Sequence, residues 1–190
     1  KKPYDYKLIK SIIYKYPTDD FKIILNDWNT ISKKVLEGKA HEISEKDTLY
    51  LAACTKGANS DSVQKQPYSS LLAKQRAYSL KSSYMTTIFN EYVLGNKKNE
   101  KIINESELNE NFDLYKYIRE IFNPYFGKTT TELINLLKIE SSVDNKAINS
   151  MIIKKIIGIN GSLDNIDEFN KAGIIPKTIR LEVDGSIKES

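Results

Sequence analysis

The chain has 190 residues, enough to bury one large core or two small ones, and its 40% apolar and 28% charged residues are the balance of a soluble globular protein rather than of a disordered one. No apolar run approaches the roughly 20 residues that a bilayer span needs, and no signal peptide precedes Lys1, so the expected compartment is the cytoplasm. The formal net charge is +4, and the distribution of that charge is uneven.

Residues 4–16 (YDYKLIKSIIYKY) are rich in Tyr and Ile with short-range alternation, which predicts a strand, with a helix as the alternative at this length. Pro17 ends the segment. Thr18 is placed to cap a helix through FKIILNDWNTISKKVLEG, where Phe21, Leu25, Trp28, Ile31 and Val35 recur at spacings of three and four and Gly38 provides the stop. Residues 48–53 (TLYLAA) predict a buried strand, the stretch after them a loop, and RAYSL a second short strand. Ser82 or Ser83 is expected to cap the next helix, SYMTTIFNEYVLG, which stops at Gly95. A polar stretch, NKKNEKIINESELNEN, then reads as a linker with hardly an apolar anchor. Beyond it come helical patterns in DLYKYIREIFNPYF, TTTELINLLKI and DNKAINSMIIKKIIGI, then an extended segment, IIPKTIRLEV, closed by a DG turn. Only SIKES follows that turn, so the return strand of a hairpin is scarcely present and the chain is expected to be a piece of a longer protein.

From Cys54 to Lys81 there are five cations (Lys56, Lys65, Lys74, Arg76, Lys81) against one acid, Asp61, a surplus equal to that of the whole chain. From Ser62 to Asn90 there is no Asp or Glu at all. A polyanion is the natural partner, because lysines facing phosphates gain affinity by releasing counterions and a fixed Lys or Arg can reach guanine acceptors in the major groove. A solvated basic loop without a ligand carries equal weight on charge alone. Tyr68 and Tyr78 can stack on sugars or bases, whereas Tyr84 fits a helix-packing core position better. His41 has no recognisable nucleophile or acid partner and reads as a capping or surface residue. Cys54 reads as a buried strand-end thiol; as the single cysteine it excludes an internal disulfide and a cysteine zinc site, and with one histidine any metal would fall to carboxylates.

These residues carry a resemblance. YLAACTKGAN followed by KQRAYSLKSSYMTTI resembles the carboxyl-terminal half of the MutH-like endonuclease domain, most closely its GATC-cutting type II restriction enzymes, and DWNTISKKVLEGKAHEIS resembles the helix and turn before it. The second half is similar to the beginning of the same domain: GKTTTELINLL to its opening helix, EFNKAGIIPKTI to its catalytic segment. The resemblance implies a mixed α/β (α+β), restriction-endonuclease-like, MutH-type fold: a DNA-reading half in residues 1–95, a linker in 96–110 and the helical start of a second, degenerate module in 111–190. It implies a partner, double-stranded DNA carrying GATC, no membrane, and room for self-association on DNA.

The resemblance also implies site roles. Lys56 falls where the family places a base-contacting lysine. Arg76, Lys74 and Lys81 are expected on phosphates, with Thr55, Asn59 and Tyr78 in support. Cys54 stands where the mismatch-repair enzyme has an arginine, so guanine recognition would be shared out differently. Ser79 replaces a tyrosine that lies against the GATC adenine. It either leaves room for an adenine methyl group, so that methylated sites are cut too, or reads nothing. In the family an Asp…Glu-x-Lys set upstream of everything seen here holds magnesium ions that activate water. Here the aligned second-half segment has Glu168 at the first acid position, Ile175 at the second and Lys177 at the lysine. Magnesium is therefore expected in the parent enzyme, none on this chain, and Glu168 and Lys177 are vestigial. The alternatives are a mismatch-repair GATC nicking enzyme and a non-catalytic DNA-binding remnant.

Overall fold

The computed structural model describes residues 7–59, 61–96, 99–109, 112–181 and 186–188. Secondary structure is mixed, with six α-helices and three two-stranded antiparallel sheets among the described residues. The chain divides into two compact units, Lys1–Lys98 with Ile103–Phe112 and Asn170–Gly173, and Asn99–Ile102 with Asp113–Phe169 and Ile174–Ser190.

In the first unit helix α1 runs Thr18–Leu36. Its cap position is Pro17, with no side-chain cap, so Thr18 is the first helical residue rather than the cap; the acids of the first turn, Asp19 and Asp20, suit the positive end of the helix. The buried face is Asp20, Ile23, Asp27 and Ile31, whereas Phe21, Leu25 and Trp28 are about half exposed. The expected apolar stripe is thus rotated, because the two carboxylates find their partners inside. Strands β1 (Leu51–Thr55) and β4 (Arg76–Leu80) pair from Leu51↔Leu80 to Thr55↔Arg76, and their inner face joins Ile31 and Ile43 in the core. Alternation along a strand puts Leu51, Ala53, Tyr78 and Leu80 on that face and Ala52, Cys54, Ala77 and Ser79 on the other.

Half of the expected basic loop is a hairpin. Strand β2 (Val63–Gln66) and strand β3 (Ser69–Lys74) pair antiparallel around Pro67 and Tyr68, with a register shift at Lys65/Gln66. Gln66 fixes it from inside: its Oε1 accepts from Ala40 N (3.0 Å), and its Nε2 donates to the Leu71 carbonyl (2.9 Å) and lies 3.1 Å from His41 Nδ1. The hairpin tip meets the end of α1 at Gly38, whose φ is +72° and where an added Cβ would sit 2.5 Å from the Tyr68 carbonyl oxygen. Gly38→Ala is therefore expected to cost about 1–2 kcal/mol for the left-handed backbone alone, with more from displacing the tip. A thermal melt should show a drop of about 2–4 °C per kcal/mol, and an unchanged midpoint would remove this constraint.

Residues 7–17 form neither strand nor helix. No strand edge takes them up. Instead Lys10 Nζ donates to the carbonyls of Tyr92 and Val93 (3.0 Å each), and Tyr14 stacks edge-on against Tyr16 and Tyr92. Helix α2 (Ser82–Ile88) continues as a π-helical turn over Phe89–Val93; its cap position is Lys81, and Ser83 donates to the Lys171 carbonyl (2.8 Å) rather than capping. The stretch read as having hardly an apolar anchor carries Ile103 and Leu108, both buried in this unit.

In the second unit α3 (Leu114–Phe122) is capped by Asp113, α4 (Thr130–Leu137) by a Thr129–Glu132 capping box, and α5 (Ile148–Ile157) ends at Gly158. All three lie within the helical patterns expected. Helix α6 (Asp167–Ala172), in the segment read as a catalytic stretch, was not. Residues 99–102 are held down here: the Glu100 carboxylate accepts from Asn160 N (2.9 Å) and Gly161 N (2.6 Å), and Ile102 is buried. The terminal hairpin has strands β5 (Arg180–Leu181) and β6 (Ile187–Lys188), so the return strand is present but short; the DG turn lies outside the described residues.

Candidate nucleic-acid interface

The end of the β1–β4 sheet gathers Thr55, Lys56 and Lys74. Thr55 is the last residue of β1 and pairs with Arg76, Lys56 N donates to the Gln75 carbonyl (2.9 Å), and Lys74 closes β3 opposite Val63. All three side chains are exposed. Asn59, in the connection between β1 and β2, is exposed too but locally engaged, its Oδ1 accepting from Asp61 N (3.2 Å) and Ser62 Oγ (3.1 Å). An Asx turn of this kind shapes the loop that carries Lys56.

The other candidates do not share that end. Arg76 turns its guanidinium into the protein, Nη1 donating to the Ala53 carbonyl (2.7 Å) and Nη2 to the Ile43 carbonyl (2.6 Å), while its buried Nε has no partner. Its charge fastens β1 to the segment before it. Lys81 lies five residues along, about 17 Å at strand rise, and donates to the Thr48 carbonyl (2.6 Å). Burial pushes its ammonium pKa down, against the opposing pull of Asp27 and Glu45. Tyr78 is 52% exposed, with its hydroxyl 3.4 Å from Ser32 Oγ, and Ser79 donates to the Leu80 carbonyl (3.1 Å) from the opposite strand face.

The vestigial pair is also separated in environment. Glu168 is buried and its carboxylate accepts from Ile102 N (3.1 and 3.2 Å), whereas Lys177 is exposed and Ile175 is 72% exposed. Among the described residues no three His, Cys, Asp or Glu side chains cluster to hold a metal. The described residues do not assemble a magnesium site, which needs several oxygen ligands in near-octahedral array. A groove of about 290 Å³ in the second unit is lined mainly by apolar residues, Leu114, Ile118, Phe122, Ile153 and Ile157 among them, with Tyr115 and Lys177 also on its wall.

Over 198 aligned positions the chain is 37% identical to the type II restriction enzyme Sau3AI of Staphylococcus aureus, covering 99% of this chain and 40% of that enzyme. That similarity supports a relationship to restriction endonucleases. The chain spans about two-fifths of the length of Sau3AI, and the likeness runs through both units rather than the basic stretch alone. No family model matches the chain. No helix among the described residues is long and apolar enough to cross a membrane.

Two polar centres behind the interface were missed by sequence reasoning. Asp27, 2% exposed, accepts from the backbone N–H groups of Leu49 (2.8 Å), Tyr50 (2.6 Å) and Leu51 (2.8 Å), which lead into β1. Burial raises its carboxyl pKa, and the three amides oppose that rise. Asp20, also 2% exposed, accepts from Lys171 Nζ (2.8 and 2.9 Å), from the Tyr84 hydroxyl (2.8 Å) and from the Tyr14 hydroxyl (3.3 Å). Tyr84 is fully buried; burial raises its phenol and pushes that of Tyr14 up to about 12. The available signal was the spacing of seven between Asp20 and Asp27, which places both acids on one helix face.

Proposed function

We propose that this chain is the DNA-reading part of a type II restriction endonuclease that recognises GATC in double-stranded DNA. Residues 1–95 belong to the recognition half of a MutH-like module, 96–110 to a linker, and 111–190 to the front of a second module that no longer cleaves. Strand scission would rest on a magnesium site of the Asp…Glu-x-Lys kind that the described residues do not supply. The observation that carries this reading is the 37% identity to Sau3AI over nearly the whole chain. An acid-free segment from Ser62 to Asn90, exposing Lys74 close to Lys56, is what a phosphate-lined partner requires.

In this reading Lys56 contacts a base and Lys74 a phosphate. Arg76 and Lys81, tied to backbone carbonyls, hold the sheet in shape. Lys56→Ala is expected to weaken binding to a GATC duplex by about 1–3 kcal/mol and leave a scrambled duplex unaffected. Lys74→Ala should weaken both equally and lower the salt slope by about one. Fluorescence anisotropy across a salt titration separates the two outcomes. A wild-type chain that binds GATC no better than scrambled DNA would refute the reading.

A further inference from the structure

The β2–β3 hairpin has an outer face with no structural task. Cross-strand pairing joins Val63 to Lys74 and Lys65 to Leu72, while Gln66 and Ala73 turn inward and are buried. Val63 is 47% and Leu72 54% exposed, and both lysines are exposed. Lone apolar residues on a surface need no explanation, but here two of them alternate with two cations on one small face, in a segment without an acid.

Resting on the DNA-reading function above, we propose that this ribbon enters the major groove of the duplex, with Lys65 and Lys74 on phosphates and Leu72 and Val63 against thymine methyl groups. The chemistry of the face matches that site: apolar contacts set among cations complement an apolar methyl set between two phosphate rims, and thymine shows its methyl only in the major groove. The dimensions agree. Paired strands about 4.8 Å apart, with their side chains, fit a groove about 12 Å wide and not one of about 6 Å. The ribbon is also held for the purpose, by Gln66 on its inner face and by the close approach of its tip to Gly38. Lys74 belongs both to the ribbon and to the sheet end that carries Lys56, so the two elements face one duplex.

The test uses the 190-residue chain, a GATC duplex and the same duplex with deoxyuridine at every thymine. Loss of the methyl groups should weaken wild-type binding about fourfold for each one removed from contact. Leu72→Ala and Val63→Ala should each bind the thymine duplex more weakly and lower the ratio between the two duplexes, and the double variant should no longer distinguish them. Lys65→Ala should weaken binding to every duplex and lower the salt slope by about one. All three side chains are exposed, and circular dichroism melting confirms that the variants fold. If wild type binds GATC selectively yet treats both duplexes alike, or Leu72→Ala keeps the wild-type ratio, the ribbon has no reading role and the function above stands. If wild type binds anionic lipid vesicles and no duplex, both fall.

Discussion

Asp27→Ala is expected to lose about 3–5 kcal/mol of folding stability, with a lower urea midpoint and an unchanged slope. The substitution strips three backbone N–H groups, those of Leu49, Tyr50 and Leu51, of their acceptor, and the last two bonds are fully buried. Each orphaned buried donor costs about 1–3 kcal/mol, a large part of a total near 5–15 kcal/mol. Asp27→Asn should cost less, since one carboxamide oxygen remains, but its NH₂ then faces a donor. The consequence reaches the interface, because these amides fix the entry of β1 and Thr55 and Lys56 stand at its far end. A change below about 1 kcal/mol for the alanine variant would mean that other groups take up the three amides.

Lys171→Met should be comparably severe, at about 3–5 kcal/mol, because it leaves Asp20 charged and buried with only phenol donors. Lys171 Nζ also lies over two neighbouring rings, 5.9 Å from the Tyr50 centroid and 5.7 Å from that of Tyr84, which further stabilises the cation. The double variant Asp20→Asn/Lys171→Met should recover part of the loss, since a neutral pair carries no ionic desolvation penalty. Denaturation of the four proteins of this cycle measures the coupling directly, and strictly additive costs would show that the contact is not a buried ion pair.

Helices α1 to α5 and strands β1 and β4 were legible because they obey local rules. The 3.6-residue period and the Gly38 stop located α1, helical patterns located α3 and α4, and RAYSL is β4 residue for residue. Composition alone showed the acid-free basic segment. The β2–β3 hairpin was hidden because its strands are polar, its turn is Pro-Tyr rather than Asn-Gly, and its anchors, Gly38 and Ala40, come from another element. Residues 7–16 read as a strand because Tyr and Ile favour one, but a strand exists only where an edge accepts it, and here the backbone carbonyls of Tyr92 and Val93 capture Lys10 instead.

Sequence by itself therefore determined where five of the six helices lie, but not α6, and where the positive charge lies. Tertiary structure alone decided which charges face outward. Arg76 and Lys81 belong to the same basic run as Lys56 and Lys74, yet they turn to carbonyls 23 and 33 residues away. Asp20 and Asp27 sit inside because their partners lie 151 and 22 to 24 residues off. The physical reason is that burying a charge is tolerable only when a partner is in place, and the position of that partner is set by the folded chain and not by neighbours in sequence.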